Sequence, residues 1–316
     1  MNAHQALKWL LGVTVLAALL IWVQLSVGWS VLLAPWRNIA PATIASALTL
    51  ALLSYALRAV RIYDYFHADL KGRFAAVLRL TLFHNFANNL LPMRLGEAVF
   101  PLLMRRYFGQ ALAKSAVSLL WVRVLDLHVV LLVAAIVIAT RSSHALALLL
   151  PLAWLLALPL ALLIRAPLLA LTTPARGKIA AIGHSLLLHA PADVGLLTRL
   201  YGWTLLSWGS KLSAFTLIVQ HFVDIGTWRT LLGVIGAELS SVLPVHGIGG
   251  SGSYEAAMVL TLMPLGVEHE VALIAAVNLH LFLLGCTLLL ALLGYLLPKP
   301  ARSTQEVVIR REDPAK

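Results

Sequence analysis

An all-α polytopic membrane protein, with six transmembrane helices and two re-entrant helical hairpins related as an inverted repeat, is the fold this sequence predicts. Three observations lead there. Apolar residues make up 60% of the chain and charged residues 12%, with a mean hydropathy of +0.89; a soluble domain needs about 25% charged residues to cover its surface. The apolar residues come in long unbroken runs, not in the short alternating segments of a barrel. Two further runs are broken near their centres by a Leu-Pro step, and these predict the hairpins.

The spans lie near residues 7–27, 40–60, 112–139, 144–164, 200–221 and 269–297, each reaching the ~20 residues that cross a hydrocarbon core. Lys8 before the first run gives it the look of a signal peptide. The run continues through Trp22 to Val27 without a small-residue cleavage site, which favours an anchor. The single cysteine, Cys286, sits inside the last run and reads as a small buried hydrophobe.

Orientation follows from the cations. With the amino terminus inside, eighteen of the 24 Lys and Arg fall on the cytoplasmic side, among them Arg58, Arg61 and Arg79, while only Arg37, Arg141 and Arg229 fall opposite. That bias predicts a multi-pass protein of the plasma membrane (the inner membrane of a Gram-negative bacterium) with both termini cytoplasmic. The net charge of +11 then faces anionic inner-leaflet lipids and calls for no nucleic acid. Residues 1–298 form the membrane domain and 299–316 a basic, disordered cytoplasmic tail. An amphipathic stretch around residues 178–188 reads as a helix lying in the interface.

The first hairpin, residues 74–108, turns at Pro92-Met93-Arg94-Leu95-Gly96-Glu97; the second, residues 229–266, turns at Pro244-Val245-His246-Gly247-Ile248-Gly249-Gly250-Ser251-Gly252. Each arm is too short to cross the bilayer. Leu91-Pro92 before Glu97 echoes Leu243-Pro244 before Glu255, and each hairpin has one span on either side, so the units open on opposite faces, as in many transporters. Two proline-kinked spans are the plainer alternative.

Irregular backbone at membrane depth must be buried in protein or line a wet cavity. Half-helices starting near Gly96 and Ser253 would aim free amides and positive dipole ends at the midplane, a setting for an anionic group to which Arg94 adds charge. Glu97 and Glu255 fit either helix capping or substrate contact. Arg123 and Asp126, three apart, share a helix face and can pair, for packing or for transport alike. Lys211 lacks a local partner, and Glu238 is the candidate. Asn85, Asn88, Asn89 and Gly250 complete the polar set. His84, His246 and His280 fit proton transfer or plain structural hydrogen bonding. The G-x-G-x-x-G at Gly247–Gly252 has no βαβ context, His269-Glu270 lacks a second histidine, and no serine sits in a nucleophile elbow. No catalytic residue, metal or cofactor is expected.

Asn89-Leu90-Leu91-Pro92-Met93-Arg94-Leu95-Gly96-Glu97, Arg123-x-x-Asp126 and Leu243-Pro244 leading to Gly249-Gly250-Ser251-Gly252-Ser253-Tyr254-Glu255 together resemble the lysylphosphatidylglycerol synthase transmembrane, or flippase-like, family over roughly residues 10–297. That family includes the membrane half of the multiple peptide resistance factor, which moves aminoacylated phospholipid between leaflets. Two departures stand out: Phe100 occupies a position where relatives often carry arginine, and the sequence has no counterpart of the soluble aminoacyl-transferase domain. The resemblance implies a lipid translocator without enzyme activity, its substrate-binding residues being Asn88, Asn89, Arg94, Glu97, Arg123, Asp126, Lys211, Glu238, His246, Gly250 and Glu255. The expected substrate is a membrane lipid with an anionic or phosphate-containing headgroup, and a homo-oligomer is admitted. The competing classes are an enzyme or accessory of membrane glycolipid or terpenoid lipid synthesis, and a small-solute or ion transporter.

Overall fold

The computed structural model describes residues 28–164, 193–240 and 248–300, with scattered positions between 14 and 25 and also Leu169, His184 and Pro191; for Pro92, Met93, Arg94 and Ile248 it describes the backbone alone. Most of the first expected span, most of the interfacial stretch, the tail from Ala301 on and His246 lie outside the described residues. All regular structure among the described residues is helical.

Helix ends follow local chemistry. Helix α1 (Pro41–Tyr65) begins on a proline, whose missing N–H is one no helix start can satisfy internally. Helix α2 (Phe74–Leu90) stops because Leu91 precedes Pro92 and adopts extended backbone. A tight helical turn, Pro92–Ala98, then feeds α3 (Val99–Phe108), which Gly109 ends at φ 71°. Helices α4 (Leu112–Arg141) and α5 (Leu149–Leu163) follow. Asp193 caps α6 (Val194–Phe222) by accepting from the amides of Gly195 at 2.9 Å and Leu196 at 3.0 Å. Helix α7 (Thr227–Ser240), a short turn at Ile248–Gly250, α8 (Ser253–Leu262) and α9 (His269–Leu296) complete the chain.

Among the described residues, four helical segments are long and apolar enough to cross a membrane: Pro41–Tyr65, Leu112–Arg141, Ala145–Leu163 and His269–Leu296. Helix α6 has the length, at 29 residues, but serines, threonines and Lys211 dilute its apolar character. The distribution of burial is that of a protein solvated by lipid. Ala145–Leu163, the most apolar segment, is 6% buried, whereas α9, which carries Asn278 and His280 on fully covered positions, is 67% buried. Leucines cover much of the exposed surface, and charged side chains such as Arg61, Asp126, Lys211 and Glu238 are buried inside, against the habit of a water-soluble protein.

Helices α2, α3, α7 and α8 have 17, 10, 14 and 10 residues, all short of the ~20 needed to span. Small residues close their pairings. A Cβ on Gly96 would lie 2.3 Å from the Asn88 backbone, and one on Gly236 would lie 2.0 Å from the Thr261 hydroxyl, so α2 folds onto the turn after it, and α7 onto α8, at a separation only glycine permits.

Contacts at the helix ends sort the elements into two layers. Lys114–Asp69 at 2.8 Å, Arg199–Asp64 at 3.0 Å and Arg73 donating to the Tyr107 carbonyl at 2.6 Å gather the end of α1, the starts of α2, α4 and α6, and the end of α3. At the opposite end, Arg141 lies over the Trp228 ring at 5.8 Å and Trp36 packs on Phe222 at 4.8 Å, joining the end of α4, the start of α7 and the end of α6.

The cation assignment needs one correction. Arg58 and Arg61 are not in a cytoplasmic loop: α1 continues to Tyr65, and both side chains are buried inside the molecule at 6% and 2% exposure. The apolar run ends near residue 60, but the helix does not, because a carboxylate inside the bundle holds Arg61. Arg79, also assigned to a cytoplasmic segment, is a buried residue of α2 that donates to the carbonyls of Tyr295 and Leu297 at the end of α9, where a cation offsets unpaired carbonyls.

Candidate functional site

Asp126, at the middle of α4, anchors a network of charges. Its carboxylate accepts from Arg61 at 2.6 Å, from the Trp208 indole at 2.9 Å and from Arg123 at 3.2 Å. Arg61 also donates to the Thr204 hydroxyl at 2.8 Å, and Arg123 reaches Glu97 at 2.8 Å. The pairing of Arg123 with Asp126 anticipated from spacing is present, but the shorter partner of Asp126 comes from α1. Two guanidinium groups thus share one buried carboxylate, and Thr204, Glu97 and Trp208 supply further hydrogen-bond partners for this charge cluster.

One turn along α6 from Trp208, Lys211 donates to Glu238 of α7 at 2.6 Å, and the Tyr254 hydroxyl of α8 donates to the same carboxylate at 3.2 Å. All three are buried. Helix α6 is therefore the shared spine: one face carries Trp208 to the Asp126 network, and the next turn carries Lys211 to the second.

The two interrupted segments meet. The Ile248–Gly250 turn packs against α2 and against Pro92–Ala98. Gly249, Gly250 and Gly252 all have φ between 67° and 86°, a region side-chain-bearing residues rarely enter, so this turn can form only with glycine. Beneath it Glu255, 1% exposed, accepts from the Gly252 amide at 2.8 Å and pairs with His280 at 2.5 Å, while His280 donates through its other ring nitrogen to the Gly249 carbonyl at 2.7 Å. Glu255 thus caps α8 and ties it to α9. At α8 the Gly252 amide is taken by Glu255. The expected half-helix start near Gly96 is corrected: the Pro92–Ala98 turn runs into α3, and the Val99 amide bonds to the Gly96 carbonyl. His84, buried beside Phe100, donates to that same carbonyl at 3.2 Å. Phe100 itself is 1% exposed in an apolar cluster with Met104 and Val122.

Between these networks lies a polar cavity of about 80 Å³, lined by Tyr55 and Arg58 of α1, Asn85, Asn88 and Asn89 of α2, Arg123, Trp208, Lys211, Glu238, Gly250, Ser253 and Tyr254. A water needs ~10–15 Å³ of such space, so several waters or one compact polar group fit. Asn89 is held by the Tyr55 and Thr287 hydroxyls at 3.4 and 3.0 Å. Of the residues singled out from sequence, Asn88, Asn89, Arg123, Lys211, Glu238 and Gly250 line the cavity; Glu97, Asp126 and Glu255 stand one shell behind it, bonded to residues at its edge or to the glycine turn. The Arg94 side chain and His246 lie outside what is described. Sequence reasoning missed Tyr55, Arg58, Trp208 and Tyr254. A signal existed for the first two: Ser54, Tyr55, Arg58 and Arg61 recur at three- and four-residue spacing, which puts a polar stripe on one face of an apolar helix.

An apolar helical exterior around a buried, charge-lined interior defines the class, a helical membrane protein. The chain belongs to the family of the lysylphosphatidylglycerol synthase TM region, whose model matches residues 9–292. No curated protein matches the chain.

Proposed function

We propose that this protein is a lipid translocator: a headgroup enters the polar cavity, the chains stay in the bilayer, and the two interrupted helical units rock to expose the cavity to one leaflet and then the other. The observation that carries the reading is the cavity, a site for polar chemistry enclosed by helices whose outer faces are leucine. Family membership ties it to membrane lipid. Two further features support it. The interrupted pairs α2–α3 and α7–α8 touch at their turns and start from opposite ends of the bundle, the relation expected of re-entrant hairpins in an inverted repeat among six spans. Their joints are glycine turns and close glycine contacts, suited to a rigid-body tilt.

The reading is tested by reconstituting the purified protein in liposomes with a panel of labelled lipids. Faster leaflet exchange of a chemically unchanged lipid is expected. A modified lipid product would indicate an enzyme of lipid synthesis instead, and solute flux without lipid movement would indicate a solute or ion transporter.

Placement in the cell membrane with a cytoplasmic amino terminus makes its own prediction. In a Cys286→Ala background, cysteines at Ala68 and Ser303 are protected from an impermeant thiol reagent added outside, and one at Ser142 is labelled. Labelling at Ser303 would overturn the even number of spans.

A further inference from the structure

We infer that Arg58 is the anion-binding group of the cavity, and that it takes a phosphodiester carrying a single negative charge, the phosphate of a phospholipid headgroup. The inference rests on the translocator reading for its choice of a lipid source; the anion site itself rests on the geometry.

Among the described side chains that line the cavity or pair beside it, the cations are held by carboxylates with one exception. Arg61 and Arg123 are held by Asp126 and Glu97, and Lys211 by Glu238. Arg58 is 6% exposed, lines the cavity, and makes no ion pair among the described residues; its Nε and Nη2 atoms are buried with no hydrogen-bond partner. What holds it is aromatic: the guanidinium lies 5.0 Å from the Trp208 ring centroid and 5.8 Å from that of Tyr55. Stacking of this kind satisfies the flat faces of a guanidinium and leaves its edges, where all the N–H groups are, free to donate. Trp208 is itself pinned by its bond to Asp126, so the stacking partner is fixed before any ligand arrives.

A buried cation with unused donors is costly unless an anion completes it. Arginine presents two parallel N–H groups that match two oxygens of one phosphate. Among the described side chains around the cavity and its flanking pairs, Arg58, Arg61, Arg123 and Lys211 face Glu97, Asp126 and Glu238, an excess of one positive charge. A singly charged phosphodiester balances it; a headgroup bearing net positive charge would add to it. Asn88, whose terminal oxygen is also buried without a partner on the cavity wall, adds an acceptor for a hydroxyl of the same headgroup. Deleting a charge-assisted contact of this type weakens binding by about ten- to a hundredfold.

The experiment is equilibrium binding of a fluorescent short-chain phosphatidylglycerol to the full chain in detergent, competed by unlabelled phosphatidylglycerol, by the matching diacylglycerol and by inorganic phosphate. Phosphatidylglycerol is expected to compete, and diacylglycerol and millimolar phosphate are not. Arg58→Gln should weaken binding about ten- to a hundredfold with the melting temperature held or raised, and Arg58→Lys, which keeps the charge but not the fork, should weaken it by a smaller factor. Wild-type affinity in both variants, or diacylglycerol competing as well as phosphatidylglycerol, would overturn the inference. Equal competition by inorganic phosphate would overturn the lipid source. Should Arg58→Gln fail to fold, Arg58→Lys decides, and unchanged binding there counts against the site. The two readings separate cleanly: Arg58-dependent binding without leaflet exchange in liposomes sinks translocation and keeps the site, whereas exchange indifferent to headgroup charge and to Arg58→Gln keeps translocation and sinks the site.

Discussion

Replacing Asp126 with alanine is expected to remove about 3–5 kcal/mol of stability, because the buried guanidinium groups of Arg61 and Arg123 lose the carboxylate they share and the Trp208 indole loses its acceptor. The folded fraction, read as the monodisperse peak and melting temperature in detergent, should fall sharply. The rescue is specific. Arg61 is the closer partner, at 2.6 Å against 3.2 Å, and Arg123 keeps Glu97 at 2.8 Å when Asp126 is gone. Asp126→Ala combined with Arg61→Met should therefore recover more folded protein than Asp126→Ala combined with Arg123→Ala. Equal recovery, or better recovery through Arg123, would show that the local pair on α4 carries the energy and that the contact from α1 is incidental.

The second large effect concerns Lys211 and Glu238. Lys211→Ala leaves the buried Glu238 carboxylate without the ammonium it pairs with at 2.6 Å, and Glu238→Ala leaves an ammonium at 7% exposure without that carboxylate. Each single change should cost about 3–5 kcal/mol. The double substitution Lys211→Met with Glu238→Gln removes both charges, keeps similar volumes and preserves an acceptor for Tyr254, so most of the loss should return. Both residues line the cavity, so the rescued protein should remain slow in leaflet exchange. Stability that returns together with full exchange would place this pair outside the transport path, and a double variant no more stable than the singles would mean that the pair is not coupled.

Much of the fold was legible in the sequence because it depends on local chemistry. Proline and glycine fix their own neighbours' backbone angles, so the first interrupted unit, read at 74–108, is bounded in the structure by Phe74 and Phe108. The runs at 112–139 and 269–297 became Leu112–Arg141 and His269–Leu296, since an apolar run of that length has few alternatives to a helix in lipid. Helix α6 is the instructive exception among the long ones: its length was readable, but its dilution by serine, threonine and lysine made sense only when it proved to carry Trp208 and Lys211 to two separate charge networks. Within the site, the Lys211–Glu238 partnership was accessible by elimination, since each was an ionisable residue in an apolar run with no neighbour to pair with.

By itself the sequence determined the solvent of this protein, the positions where helices stop, and the presence of ionisable groups that have to find one another. Composition and backbone chemistry act over a few residues, and they leave their marks in order along the chain. The tertiary structure alone decided who pairs with whom. Spacing offered Asp126 its neighbour Arg123, three residues away, but the shorter bond comes from Arg61, 65 residues distant, and the cation left without an ion pair among the described side chains is Arg58, which the cation count had assigned to the cytoplasmic side. The physical reason is that burial removes water as a partner for every charge at once. The lowest-energy pairing then belongs to the whole set of groups that the packed helices bring within reach, and no stretch of sequence contains that set.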